Sequence, residues 1–82
     1  MITNNLKDIR RDYGVTQQEL AEGVGTTRQT IHSIESGKSL PQLELALKMA
    51  YYFDVNLEEL FFLDVKGTME ESVEPFSIFG KS

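Results

Sequence analysis

Thr16-Gln17-Gln18-Glu19-Leu20-Ala21-Glu22-Gly23-Val24-Gly25-Thr26-Thr27-Arg28-Gln29-Thr30-Ile31-His32-Ser33-Ile34-Glu35-Ser36-Gly37 reads as two short helices joined by a glycine turn. Thr16 and Glu19 have the spacing of a capping box, in which each side chain satisfies an orphan backbone N–H of the first helical turn. Leu20, Ala21 and Val24 fall on one face of that helix, and Gly25 supplies the left-handed residue that ends it. Thr27 then caps a second helix whose Ile31 and Ile34 point inward, and Gly37 closes it. With only Gly25-Thr26-Thr27 between them, the two helices form a helix-turn-helix. Gly23 is out of place in this scheme, since glycine inside a helix costs about 1 kcal/mol relative to alanine.

Working outward, Leu6, Ile9 and Tyr13 recur at helical spacing ahead of Gly14 and predict a first helix. Pro41 suits the start of a fourth and longest helix, in which Leu43, Ala46, Leu47, Ala50 and Phe53 form one apolar sector. Leu45, Met49 and Tyr52 extend that sector sideways, leaving more apolar surface than one small core requires. Asn56-Leu57-Glu58-Glu59 repeats the capping pattern and predicts a short fifth helix. The expected architecture is all-α, a compact five-helix domain with helices near 4–13, 16–24, 27–36, 42–53 and 56–62. Residues 1–63 form that domain, and residues 64–82 an acidic tail anchored by Val73, Phe76, Ile78 and Phe79, with a short strand near Phe76 to Phe79 as one option.

A chain of 82 residues holds one small domain, which buries only about 60% of the surface its unfolded form exposes. There is no cysteine and only one histidine, so neither a disulfide framework nor a metal-ligand cluster is expected, and no cofactor. The N-terminal residues lack the pattern of a secretion signal, and the longest apolar run, Met49 to Phe53, is far short of the roughly 20 residues of a membrane span. The expectation is a soluble cytoplasmic protein without a membrane partner. Nothing resembles a nucleotide-binding glycine loop or a catalytic constellation, which argues against an enzyme. The net charge of -5 is unevenly spread: residues 1–40 are balanced, and residues 41–82 carry the whole excess of acid. A nucleic-acid partner would meet the first half.

The quoted stretch, continued by Lys38, Pro41 and Ala46 to Ala50, resembles the phage repressor and Cro-like family of helix-turn-helix regulators. The likeness runs from about Asn4 to Phe62. It implies that the second helix of the motif lies in the major groove of double-stranded DNA, a docking geometry borrowed from the family. The residues suit that role. Arg28, Gln29, His32, Ser33 and Ser36 fan across the face opposite Ile31 and Ile34, and none is a carboxylate. Arginine forks to guanine, glutamine pairs with adenine, and serine serves several bases.

The resemblance places Gln17, Thr27, Arg28, Gln29 and Ser33 among the DNA-contacting positions. Arg28 and Gln29 are the expected base readers and Ser33 and His32 secondary ones, while Gln17, Thr27, Thr30 and Lys38 position the backbone. The resemblance also implies a structural ion pair between Arg10 and Glu35. The expected function is a sequence-specific transcriptional regulator, a repressor binding an inverted repeat as a homodimer through Leu45, Met49, Tyr52, Phe61 and Phe62. The alternative is an antitoxin that binds a toxin partner and represses its own operon.

Overall fold

In the computed structural model, which describes residues 1–64, Thr16 Oγ1 accepts the Glu19 N–H at 3.0 Å and Glu19 Oε1 accepts the Thr16 N–H at 2.9 Å. The capping box thus forms, and it starts helix α2, Gln17–Val24. Gly25 ends that helix with φ at 80°, a conformation that strains any residue with a Cβ, and the Thr26 N–H returns to the Ala21 carbonyl at 2.9 Å. Helix α3, Arg28–Glu35, follows at once, its first turn capped by Thr27 Oγ1 accepting the Thr30 N–H at 3.1 Å. The remaining helices are α1, Leu6–Asp12; α4, Leu43–Phe53; and α5, Leu57–Leu60. Glu59 closes the start of α5 by accepting the Asn56 N–H at 2.9 Å.

Two predicted boundaries move for one reason. The first helix begins at Leu6 rather than residue 4, and the fifth ends at Leu60 rather than residue 62. The freed residues form strands β1, Ile2–Asn4, and β2, Phe61–Leu63, paired antiparallel with Ile2 opposite Leu63, Thr3 opposite Phe62 and Asn4 opposite Phe61. β-Branched and aromatic side chains suit a pleated, half-buried ribbon, and pairing satisfies backbone groups that a frayed end leaves open. The Asn5 N–H continues the link to the Leu60 carbonyl at 2.9 Å. The anchors Val73, Phe76, Ile78 and Phe79, with the strand expected near them, lie outside the described residues.

The core joins Leu6 of α1 and Leu20, Ala21, Val24, Ile31 and Ile34 of the motif to Met49, Ala50 and Phe53 of α4 and Leu60 of α5. This corrects the expected phase of α4. Met49, assigned to an interface, is fully buried within the protomer, and Leu45 packs against the same core. Leu43 and Leu47, expected inside, are instead 68% and 49% exposed. A helix that is apolar nearly all round carries no phase in its own pattern, so its partners choose the inner face. The surplus apolar surface is therefore Leu43, Leu47 and Tyr51.

Gly23 now has a reason. A Cβ at this position would overlap the Tyr52 ring, which lies over α2 and meets Phe53 edge to face with centroids 5.0 Å apart. Tyr52 thus packs on its own protomer, while 40% of it remains exposed. Gly23→Ala should destabilise the wild-type domain, whereas in a Tyr52→Ala background the same change should stabilise it by about 1 kcal/mol, the intrinsic helix preference. Thermal unfolding of the four proteins tests this: equal effects in both backgrounds would show that the ring does not impose the glycine.

Candidate nucleic-acid interface

The outer face of α3 presents Arg28, Gln29, His32 and Ser36 to solvent, with Thr30 and Ser33 half-buried at its margins. None is acidic, and the carboxylate of α3, Glu35, is turned the other way. Thr27 and Thr30 are occupied in capping, their hydroxyls 2.9 Å apart. Ser33 lends its carbonyl to the turn after the helix, accepting the Lys38 N–H at 2.9 Å, and Lys38 itself is exposed just beyond Gly37.

What holds this face in place is a polar knot beneath it. Arg10 Nε donates to Glu35 Oε2 at 2.6 Å, Nη2 donates to Glu35 Oε1 at 3.2 Å, and Nη1 donates to the Val15 carbonyl at 2.8 Å. The two side chains are 10% and 4% exposed, so the pair is removed from water and geometrically fixed. Gln17 Nε2 donates to the same Glu35 oxygen at 3.0 Å. Three helices therefore meet at one carboxylate, and Arg10 ties the α1–α2 turn to it. Gln17, expected to lean on a phosphate, has its amide nitrogen engaged with Glu35 and stands half-buried.

Burial alone would raise the Glu35 carboxyl, and the negative end of α3 opposes an anion there. Hydrogen bonds from Arg10 and Gln17 and the charges of Arg10 and Lys7 outweigh that, holding it below the usual carboxylate value. A second feature lies beside the knot: an open cleft at the start of α2, lined by Arg10, Arg11, Thr16, Gln17, Gln18 and Arg28. The positive end of α2 faces a site with exposed guanidinium groups at Arg11 and Arg28, which is chemistry suited to a phosphate. Arg11 was missed in the sequence, although a cation in the last turn of the first helix, next to the motif's start, was the signal available.

The fold and the acid-free outer face of α3 define a DNA-binding transcriptional regulator. The chain belongs to the helix-turn-helix family, which it matches over residues 6–60. It is 43% identical over 61 residues to the HTH-type transcriptional regulator YgzD of Bacillus subtilis, a match covering 74% of this chain and 92% of that one. The transcriptional repressor RstR of the cryptic phage CTXphi from Vibrio cholerae is 32% identical over 60 residues, covering 73% of this chain and 54% of the repressor. Among solved structures, a Bacteroides fragilis protein assigned to DNA binding superposes with a TM-score of 0.70 at 31% identity, covering 76% of this chain and 100% of that one. Among the described residues, no helix is long and apolar enough to cross a membrane.

Removing one partner of the knot leaves an uncompensated buried charge, so Arg10→Met should destabilise by about 3–5 kcal/mol, and Arg10→Met with Glu35→Leu by clearly less. Urea titration of the single and double variants checks this; additive losses would mean that the two side chains act independently. Because the folded Glu35 carboxyl sits below its unfolded value, its contribution is present above that value, about 4.3, and is lost as the pH falls through the folded one. Thermal midpoints should therefore drop more steeply below pH 4.3 or so in the wild type than in Glu35→Gln.

Proposed function

We propose that the chain is a repressor that binds an inverted repeat in double-stranded DNA as a two-fold homodimer, each α3 lying in a major groove. The observation that carries this is the outer face of α3, free of carboxylates and rich in groups that match base edges, held on a frame pinned by Glu35. Arg28 and Gln29 read bases, with Ser33 and His32 beside them. Gln17, Thr27, Thr30 and Lys38 set the position on the backbone, and Arg11 joins them. The role is recognition, not catalysis. RstR, a phage repressor by name, supports repression over activation.

A dimer is argued from affinity. One recognition helix reads only a few base pairs, and a chain with a net charge of -5 has little non-specific attraction to add. The face proposed for self-association is the apolar groove between the sheet and α4, rimmed by the exposed side chains of Ile2, Leu40, Leu43, Phe62 and Leu63, with Phe61 at its wall. This keeps Phe61 and Phe62 of the expected interface and replaces Met49, Leu45 and Tyr52. Residues 1–63 form the recognition domain, and residues 64–82 a separate acidic segment. A two-fold arrangement would set the two α3 helices about 34 Å apart, one turn of DNA.

Selection from random duplexes, followed by binding measurements on the winner, tests the reading helix. Arg28→Ala and Gln29→Ala should each lose about 1–3 kcal/mol on the selected site and relax its sequence preference, whereas Arg11→Ala should weaken selected and unrelated DNA alike. Unchanged preference in both α3 variants would mean that another element reads the bases. For the dimer, Leu43→Asp with Phe62→Asp should sediment as a folded monomer at micromolar concentration and lose the selected repeat. A dimer that survives both substitutions would place the interface elsewhere.

A further inference from the structure

We propose that Asn4 is a positioning residue: it locks the orientation of α3 to the terminal sheet and so sets the half-site spacing that the dimer accepts. The proposal rests on the dimeric reading above and goes beyond it by assigning the coupling between interface and recognition helix to one side chain.

Asn4 lies in β1, where it stands opposite Phe61 in the antiparallel register. Its side chain leaves the sheet and reaches two helix ends. Nδ2 donates to the Ile34 carbonyl in the last turn of α3 at 3.0 Å, and Oδ1 accepts the Leu6 N–H in the first turn of α1 at 3.1 Å. These are among the groups that a helix cannot satisfy internally, an orphan carbonyl at a C-terminus and an orphan N–H at an N-terminus. The two bonds also fix which way the amide points, because only nitrogen can donate and only oxygen can accept. The Ile34 carbonyl additionally accepts the Gly37 N–H at 3.1 Å, so both its lone pairs are used and this end of α3 is held from two sides.

The sheet that carries Asn4 also carries Ile2, Phe62 and Leu63, which rim the groove proposed for self-association. A path of backbone pairing and one amide thus runs from the interface to the end of the recognition helix, short and without a flexible side chain in it. The Arg10–Glu35 pair ties the same end of α3 to α1, but nothing in that pair refers the helix to the sheet. Asn4 supplies that second reference. A helix referred to both the core and the sheet has a fixed tilt relative to its symmetry mate, and spacing selectivity needs that fixed tilt.

The test uses the full chain and Asn4→Asp, which retains an acceptor for the Leu6 N–H and removes the donor to Ile34, with Asn4→Ala as the variant lacking both. Affinities are measured on synthetic duplexes carrying the selected half-site once, or twice as an inverted repeat at one helical turn and at one and two base pairs more or less. The expected result for Asn4→Asp is an unchanged affinity for the single half-site and a loss of roughly tenfold on the preferred repeat, the scale of one partly buried hydrogen bond. Discrimination against the neighbouring spacings should flatten by the same factor, with sedimentation still showing a dimer. An equal loss on single and paired half-sites would make Asn4 a general stabiliser and overturn the proposal, as would a variant as spacing-selective as the wild type. A wild type that is monomeric or indifferent to spacing would overturn the dimeric reading itself, and this one with it.

Discussion

A single buried carboxylate organises this domain. Glu35 sits at the end of α3 that repels anions, with its side chain largely withdrawn from water, and Arg10 and Gln17 converge on it from two other helices to stabilise it there. A ring of apolar residues would pack as tightly and cost less desolvation. It would not fix directions, because dispersion contacts are indifferent to small rotations whereas a two-pronged guanidinium–carboxylate pair is not. On the proposed base-reading role of α3, that difference in angular stiffness would matter more than the stability of the pair.

The same arrangement explains why an acidic chain can use this surface. The carboxylate of α3 is neutralised beneath the helix rather than left on its face, and the guanidinium that does so is itself withdrawn from solvent. What remains outside is polar or cationic, Arg28 and Gln29 on α3 with Arg11 and the start of α2 alongside. The excess acid of the chain falls after residue 40, so it need not oppose phosphates at that face.

Much of this was legible because the signals are local. The capping box at Thr16, the αL turn at Gly25 and the cap at Thr27 are each decided by residues within four positions of one another, and all three stand as the spacing predicts. The Arg10–Glu35 contact was not legible from spacing at all; it came from resemblance, since nothing in either helix alone points to the other. The phase of α4 failed for a different reason: Leu43, Leu45, Leu47 and Met49 fill every sector, and only the ring of Tyr52 against Gly23 and the burial of Met49 settle which side faces inward. The strands failed because Phe61-Phe62-Leu63 is as compatible with a last helical turn as with a strand, and its partner lies at the other end of the domain. Among the site residues, Gln17 shows the limit of reading a surface from a wheel, because an amide can serve the frame while it faces the groove.

The terminal ribbon also has a place in time. The α2–α3 unit and its closure by α4 join elements near one another along the chain, and such contacts form early. Pairing Ile2 with Leu63 instead joins the two ends of the domain, roughly 60 residues apart, and extends by three residues a closure that Leu6 and Leu60 already make in the core. So short a terminal seam is expected to open more readily than the helical core it edges. An opening of the seam would take Asn4 away from Ile34 and leave the end of α3 without its link to the sheet. On the role proposed for Asn4, the setting of α3 would last as long as the closed seam rather than as long as the fold.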